Sequence, residues 1–308
     1  MKLLNFGSIN IDCVYGVDTF VQPGETKQAR AYREHCGGKG LNQSIAAARA
    51  GLTVSHAAFF GADGRALVDM LRDSGVDVSA MMGMDGASGR AIIQVDDAGQ
   101  NCILLYGGTN RSLTTSYIDR VLDAFGTDVV VLLQNEMNLS DYIISAAAER
   151  GLRVVLNAAP MDATMLRCPI DKVTCLIVNE IEGRQLARCE EETAILPTLR
   201  QAHPNLSILL TLGARGAVFD TPERTYTIGA YKVPVVDTTA AGDTFVGYFL
   251  RGMLLGDSFE AALRLATSAS AVCIQQEGAS ASIPNLDQVE AFLRSMGDKT
   301  PECTVICR

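Results

Sequence analysis

Tryptophan is absent, and histidine occurs only three times in 308 residues. His35, His56 and His203 stand far apart, and nothing in their spacing suggests the cluster with a Ser, Cys or carboxylate that a histidine-based nucleophile or a zinc site needs. The nine cysteines are odd in number and include no C-x-x-C pair, so reduced thiols are expected rather than a disulfide framework or redox centre. No apolar run approaches the roughly 18 residues that a bilayer span needs. Met1 to Gly7 enters a strand pattern directly, without the charged and apolar regions of a signal peptide. A cytoplasmic protein without membrane contact is therefore expected. Positive charge is scarce as well. With 26 Lys plus Arg against 35 Asp plus Glu, the net charge of −9 has the wrong sign for a nucleic-acid partner held by counterion release. Any phosphate must be met locally, by backbone N–H groups, a helix N-terminus or a metal ion.

What is present is a core. Apolar residues make up 48% of the chain and charged residues 20%, with 28 glycines, a composition that excludes disorder and coiled coils. Short aliphatic runs (3–6, 53–60, 129–133, 154–156, 175–178 and 207–212) alternate with helical patterns over 41–50, 66–74, 116–124, 141–149 and 193–202. That alternation predicts a mostly parallel sheet covered on both faces, with its ligand site beyond the carboxyl ends of the strands. Residues 12–16, 26–35, 90–96 and 101–106 break the pattern as antiparallel strands, expected to form a small projecting sheet. From 243 onward the pattern is helical (243–255, 258–275, 286–295), and residues 297–308 form a tail without an assigned role. One domain over 1–296 is expected.

The segment Val236-Asp237-Thr238-Thr239-Ala240-Ala241-Gly242-Asp243-Thr244-Phe245 places three residues with almost no side chain just ahead of an amphipathic helix. Ala241, Gly242 and Asp243 then fall in its first turn with free N–H groups, an anion hole with a carboxylate beside it. The plainer reading makes Asp243 a partner of the helix dipole only. Gly37-Gly38-Lys39-Gly40-Leu41-Asn42-Gln43 opens the first long helix and reads as a turn plus helix start. It lacks the glycine and hydroxyl spacing of a Walker A loop, and no G-x-G-x-x-G follows the first strand. Asn179 and Glu182 read either as a capping box or as two ligands one turn apart. Asn10 and Asp12 read as loop residues or as polyol contacts.

These two glycine segments, with Gly7 to Asp12, Gln134-Asn135-Glu136, Asn157 to Pro160, Asn179 to Glu182 and Thr211 to Gly216 in the same order, resemble the ribokinase group of the PfkB-type carbohydrate and nucleoside kinases from about Gly7 to Pro284. The resemblance implies a ribokinase-like three-layer α/β/α sandwich with a small β-sheet lid, and an ATP-dependent kinase acting on the primary hydroxyl of a sugar. D-ribose at O5 comes first, with another pentose, a deoxy sugar, a ketohexose, a nucleoside or a catalytically silent sensor left open. It implies Asp243 as general base, with the N–H groups of Ala241, Gly242 and Asp243 forming the anion hole and Ala240 counted with them in the catalytic segment. Asn10, Asp12, Gly38, Lys39, Asn42 and Glu136 would hold the sugar. Asn179, Thr211, Gly213, Gly216 and Gly242 would line the nucleotide. Asn179 and Glu182 would organise Mg²⁺, while Asp237, Thr239 and Ser282 would hold K⁺. A homodimer through the lid is implied too. Leu41, Asn135, Ala240 and Ala281 depart from the group's usual residues, and the first two are expected to reshape the sugar pocket.

Overall fold

The computed structural model describes residues 1–308. A nine-stranded sheet runs through its centre in the order β15-β14-β13-β12-β11-β10-β9-β1-β4. Its parallel part consists of β1 (Lys2–Phe6), β4 (Val54–Ala57), β9 (Val129–Gln134), β10 (Arg153–Asn157), β11 (Cys175–Asn179) and β12 (Ser207–Thr211). β4 and β9 are buried at every one of their residues, and β1 and β10 at all but the first, which requires cover on both faces. The cover comes from α1 (Lys39–Arg49), α2 (Arg65–Asp73), α3 (Thr115–Phe125), α4 (Ser140–Glu149), α5 (Glu180–Ala187), α6 (Ile195–Ala202), α7 (Ala241–Leu255), α8 (Phe259–Cys273) and α9 (Leu286–Met296). Sheet and helices share one hydrophobic core.

Four expectations need correction. The run 53–60 is two pieces: β4 stays in the main sheet, while β5 (Phe59–Phe60) pairs with β6 (Met82–Gly83) in a separate ribbon. Residues 26–30 are not strand, and β3 covers Ala31–Gly37. The sheet extends antiparallel beyond β12 through β13 (Ala217–Asp220) and β14 (Arg224–Ile228), both unanticipated as a pair. The tail, expected outside the 1–296 domain, joins the main sheet. Its Cys-Thr-Val-Ile-Cys run is β15 (Cys303–Cys307), the edge strand along β14. Arg308 pairs there with Asp220, which is buried and also takes two hydrogen bonds from Arg200. Cys303 and Cys307 stand at the two ends of this strand, four residues apart and out of each other's reach.

β2 (Asn10–Gly16), β3, β7 (Gly89–Val95) and β8 (Asn101–Tyr106) form the projecting sheet, in the order β3-β2-β7-β8. Two antiparallel pairs are joined by a parallel β2–β7 pairing, which the expectation of antiparallel strands did not contain.

Two helix crossings position the site. Gly247 lies so close to α1 that an added Cβ would meet Ala46 Cβ at 2.4 Å, and Gly252 likewise meets Ala262 Cβ of α8 at 2.5 Å. These small residues let α7 nest against α1 and α8. At the other end of the α1 contact, an added Cβ on Gly40 would meet Ser8 N at 2.3 Å, so the start of α1 rests directly on the loop after β1. The N-termini of α1 and α7 consequently converge.

Candidate active site

Asp243 is the third residue of α7, half-buried and turned toward α1. Asn42 Nδ2 donates to its Oδ2 at 3.1 Å, and Gln43 Nε2 donates to its Oδ1 at 2.9 Å. Burial pushes the Asp243 carboxyl above its ordinary range, with the Lys39 ammonium and the two amides acting in the opposite direction. Lys39 is held charged despite its own burial by Asp243, Glu136 and Glu182.

The helix start has the expected form with one difference. Ala240 is the N-cap at φ 61°, a left-handed conformation that glycine adopts freely and alanine only under strain. Gly242 N and Asp243 N find no acceptor within the protein, whereas Ala241 N closes a turn onto Thr238 O at 3.2 Å. The anion hole therefore has two open donors at the positive end of a 15-residue helix, not three.

Of the expected sugar contacts, the structure brings Asn10, Asp12, Gly38, Lys39, Asn42 and Glu136 around this point. Gly38 is the N-cap of α1 at φ 98°, and a Cβ there would press on Asn10 N at 2.9 Å. Glu136 Oε2 accepts from Ser8 Oγ and from Lys39 N. Asn10 is buried, its Oδ1 taking a hydrogen bond from Asn110 Nδ2 at 2.8 Å; Asn110 was not anticipated and braces this corner. Asp12 is pushed up to about 7 by burial and by the nearby Glu136 and Asp243 carboxylates. Asn42 Oδ1 is buried without a partner, an acceptor left over for a hydroxyl. A cleft of about 580 Å³ opens beside Asp12 between the lid and the loops at Asp237 and Gly278. Arg33 of the lid reaches across it to Glu277 at 2.7 Å.

Leu41 and Asn135 do not line this pocket. Leu41 is core, and Asn135 Nδ2 donates to Pro160 O and Asp162 Oδ1, both at 2.8 Å, tying down the loop after β10.

On the nucleotide side, Asn179 ends β11 and Thr211 ends β12, adjacent in register. Gly213 faces open space at φ 54°. Gly216 has a fold role: at φ 99°, any Cβ would strike Ile228 O at 1.9 Å where β13 leaves its turn. Asn179 and Glu182 do form a capping box: Asn179 Oδ1 accepts from Ile181 N and Glu182 N, and Glu182 Oε2 accepts from Asn179 N. No protein donor meets Glu182 Oε1, which suits a hard cation or its water. No cluster of three or more His, Cys, Asp or Glu could hold a metal by itself, so phosphate oxygens would have to complete the shell. Asp237 links two loops: Oδ1 accepts from Thr239 N and Oγ1, and Oδ2 from Gly278 N at 3.0 Å. Burial acts to raise its pKa, but these donors outweigh it and hold it below the ordinary value. The Ser282 hydroxyl turns to Ala279 O and Cys273 Sγ, and Cys273 Sγ in turn meets Thr239 O.

Comparison with known proteins shows the family and the fold. A ribokinase from Haemophilus influenzae is 33% identical over 298 residues, covering 93% of this chain and 96% of that one. The crystal structure of ribokinase from Cryptococcus neoformans var. grubii serotype A in complex with ADP superposes with a TM-score of 0.83 at 34% identity, over 94% of this chain and 99% of that one. The structure of Arabidopsis thaliana ribokinase complexed with ribose and ATP gives a TM-score of 0.83 at 27% identity, over 95% and 98%. A family model described as pfkB family carbohydrate kinase matches residues 1–286, and the chain belongs to that family.

Proposed function

We propose that this carbohydrate kinase transfers the γ-phosphoryl group of ATP to O5 of D-ribose. The observation that carries the reading is the convergence of Asp243, two open N–H groups of α7 and the Asn10, Asp12, Lys39, Asn42 and Glu136 set on one point. Asp243 takes the proton of the attacking primary hydroxyl. Gly242 N–H and Asp243 N–H stabilise charge on the transferring group. The transition state of phosphoryl transfer is loose, so alignment and positive potential matter more than a strong base. A protein of charge −9 supplies that potential through a helix terminus, Lys39 and a cation rather than a basic surface. Asn179 and Glu182 would hold Mg²⁺, partly through water, and the metal neutralises phosphate charge when bound. Asp237, Thr239 and the 278–282 loop would hold K⁺. Asn179, Thr211, Gly213 and Gly242 line the nucleotide, with Gly216 acting indirectly by shaping the turn.

The relatives' names favour ribose; a deoxyribokinase from Salmonella typhimurium, 28% identical, keeps a deoxy sugar as the second reading, and the breadth of the cleft leaves room for a nucleoside. ADP release is to be measured over ribose, 2-deoxyribose, fructose, tagatose and nucleosides, with Mg²⁺ and with K⁺ or Na⁺. Ribose is expected to give the highest kcat/KM, with loss of turnover on chelating Mg²⁺ and a rise with K⁺ over Na⁺. Turnover on nucleosides but no free sugar would overturn the substrate assignment, and sugar binding without any turnover would make the protein a sensor.

We also assign a homodimer through the lid. Ile103, Leu104, Leu105 and Tyr106 of β8 are all exposed, an apolar strand without cover in the single chain. Sedimentation should give twice 32.9 kDa, falling to one chain for Leu104→Asp. A wild-type monomer would refute it.

A further inference from the structure

Behind Asp243 runs a chain of buried polar side chains that the transfer step does not itself use. Asn5, Gln43, Ser44, His56 and Gln134 are all fully buried. They come from β1, α1, β4 and β9, and each is hydrogen-bonded to the next. The direction of every bond in the chain can be worked out from its fixed end. His56 Nε2 lies 3.0 Å from Gly7 O, which can only accept, so the ring's proton is on Nε2 and Nδ1 accepts from Ser44 Oγ at 2.8 Å. Burial lowers His56 to about 4, in keeping with a neutral ring. Ser44 Oγ then accepts from Asn5 Nδ2 at 2.8 Å, and the same amide donates to Gly40 O at 2.9 Å. Asn5 Oδ1 is thereby committed as an acceptor, for Gln134 Nε2 at 3.1 Å. Gln134 Nε2 also donates to Gln43 Oε1 at 2.8 Å. Gln43 is left with only its NH₂ to present to Asp243. Turning Gln134 over would set its oxygen against two other oxygens, so the orientation has no alternative.

We propose that Gln43 is the positioning residue of the general base, and that Gln134 and Asn5 dictate which end of its amide faces the carboxylate. This rests on Asp243 being the base. A donor fixed on Oδ1 favours the ionised carboxylate and holds its plane, while Asn42, the other donor, remains free to adjust to the sugar. The other titratable or charged groups facing this site are Lys39 of α1, Asp12 of β2, Glu136 after β9, Glu182 of α5 and Cys273 of α8. None is altered by substitution at 43 or 134, so a change in the base can be read against a constant background.

The test measures kcat and KM against pH, with sugar affinity by calorimetry, for wild type, Gln43→Met, Gln43→Glu and Gln134→Met. For Gln43→Met, sugar affinity should stay within about twofold of wild type, kcat should fall about tenfold, and the acid limb of kcat should move up by about one pH unit. Gln43→Glu keeps the size and the acceptor for Gln134 but sets a second carboxyl beside the base, and should move the limb further up. It also serves if the Met variant fails to fold. Gln134→Met should fall between wild type and Gln43→Met. Wild-type limbs and kcat in the Gln43 variants, with Asp243→Asn inactive, overturn the positioning role alone. Wild-type turnover by Asp243→Asn removes the base assignment beneath it.

Discussion

Asp243→Asn is expected to lower kcat by about 10²-fold or more while sugar affinity stays close to wild type, the range seen when a general base is lost. The substitution changes little in volume and leaves the α7 backbone in place, so both open N–H groups remain. It removes the proton acceptor and one of the two acceptors for Asn42 and Gln43. Single-turnover kinetics checks the loss, and a thermal melt checks that the fold is kept. The pH dependence has a definite sign. Burial raises the Asp243 pKa, so its proton is held to a higher pH than for an exposed carboxylate. As pH falls through that value the base is neutralised, and kcat declines. Above it, kcat is flat until another group titrates.

Gly242→Ala should separate stability from activity. Gly242 sits in helical backbone, and an added Cβ meets nothing within 4 Å. Alanine is the better helix former by roughly 0.5–1 kcal/mol in a helix interior and by less in the first turn, so the melting temperature should be unchanged or slightly higher. Yet Cα–Cβ bonds point toward the helix N-terminus, which is where an anion on the Gly242 and Asp243 N–H groups must lie. The methyl would occupy that space and weaken two donors together. A fall in kcat of about 10²-fold is expected, comparable to loss of an oxyanion donor. Steady-state kinetics with a melt on the same preparation checks it, and full activity would place the phosphoryl group elsewhere.

Much of this site is legible in the sequence because it is built from residues whose roles are local. Small residues ahead of Phe245 announce a helix start with an accessible backbone, and Gly37 to Gly40 mark a second one. The parallel strands carry a similar local signal in their aliphatic runs. What is not legible depends on contacts between distant segments. Asn5 and Gln134 are polar residues in otherwise apolar strands, and only the β1–β9 pairing beneath α1 brings them to Gln43. Gly247 and Gly252 look like weak points in a helix until Ala46 and Ala262 are found against them. Asn135, expected to reshape the pocket because it departs from the group's usual residue, points away from it, since adjacent residues leaving a strand face opposite sides. The β15 strand had a local signal in its β-branched Thr304-Val305-Ile306, but so short an edge strand exposes most of its side chains and lacks the apolar pattern of the interior.

The account depends most on a phosphoryl group resting at the start of α7. A crystal structure of the protein with ribose, ADP, Mg²⁺ and a metallofluoride mimic of the transferring group tests this directly. The mimic is predicted within hydrogen-bond distance of Gly242 N and Asp243 N, with the sugar's primary hydroxyl between it and the Asp243 carboxylate. A mimic held away from α7, or a hydroxyl out of reach of Asp243, would contradict it.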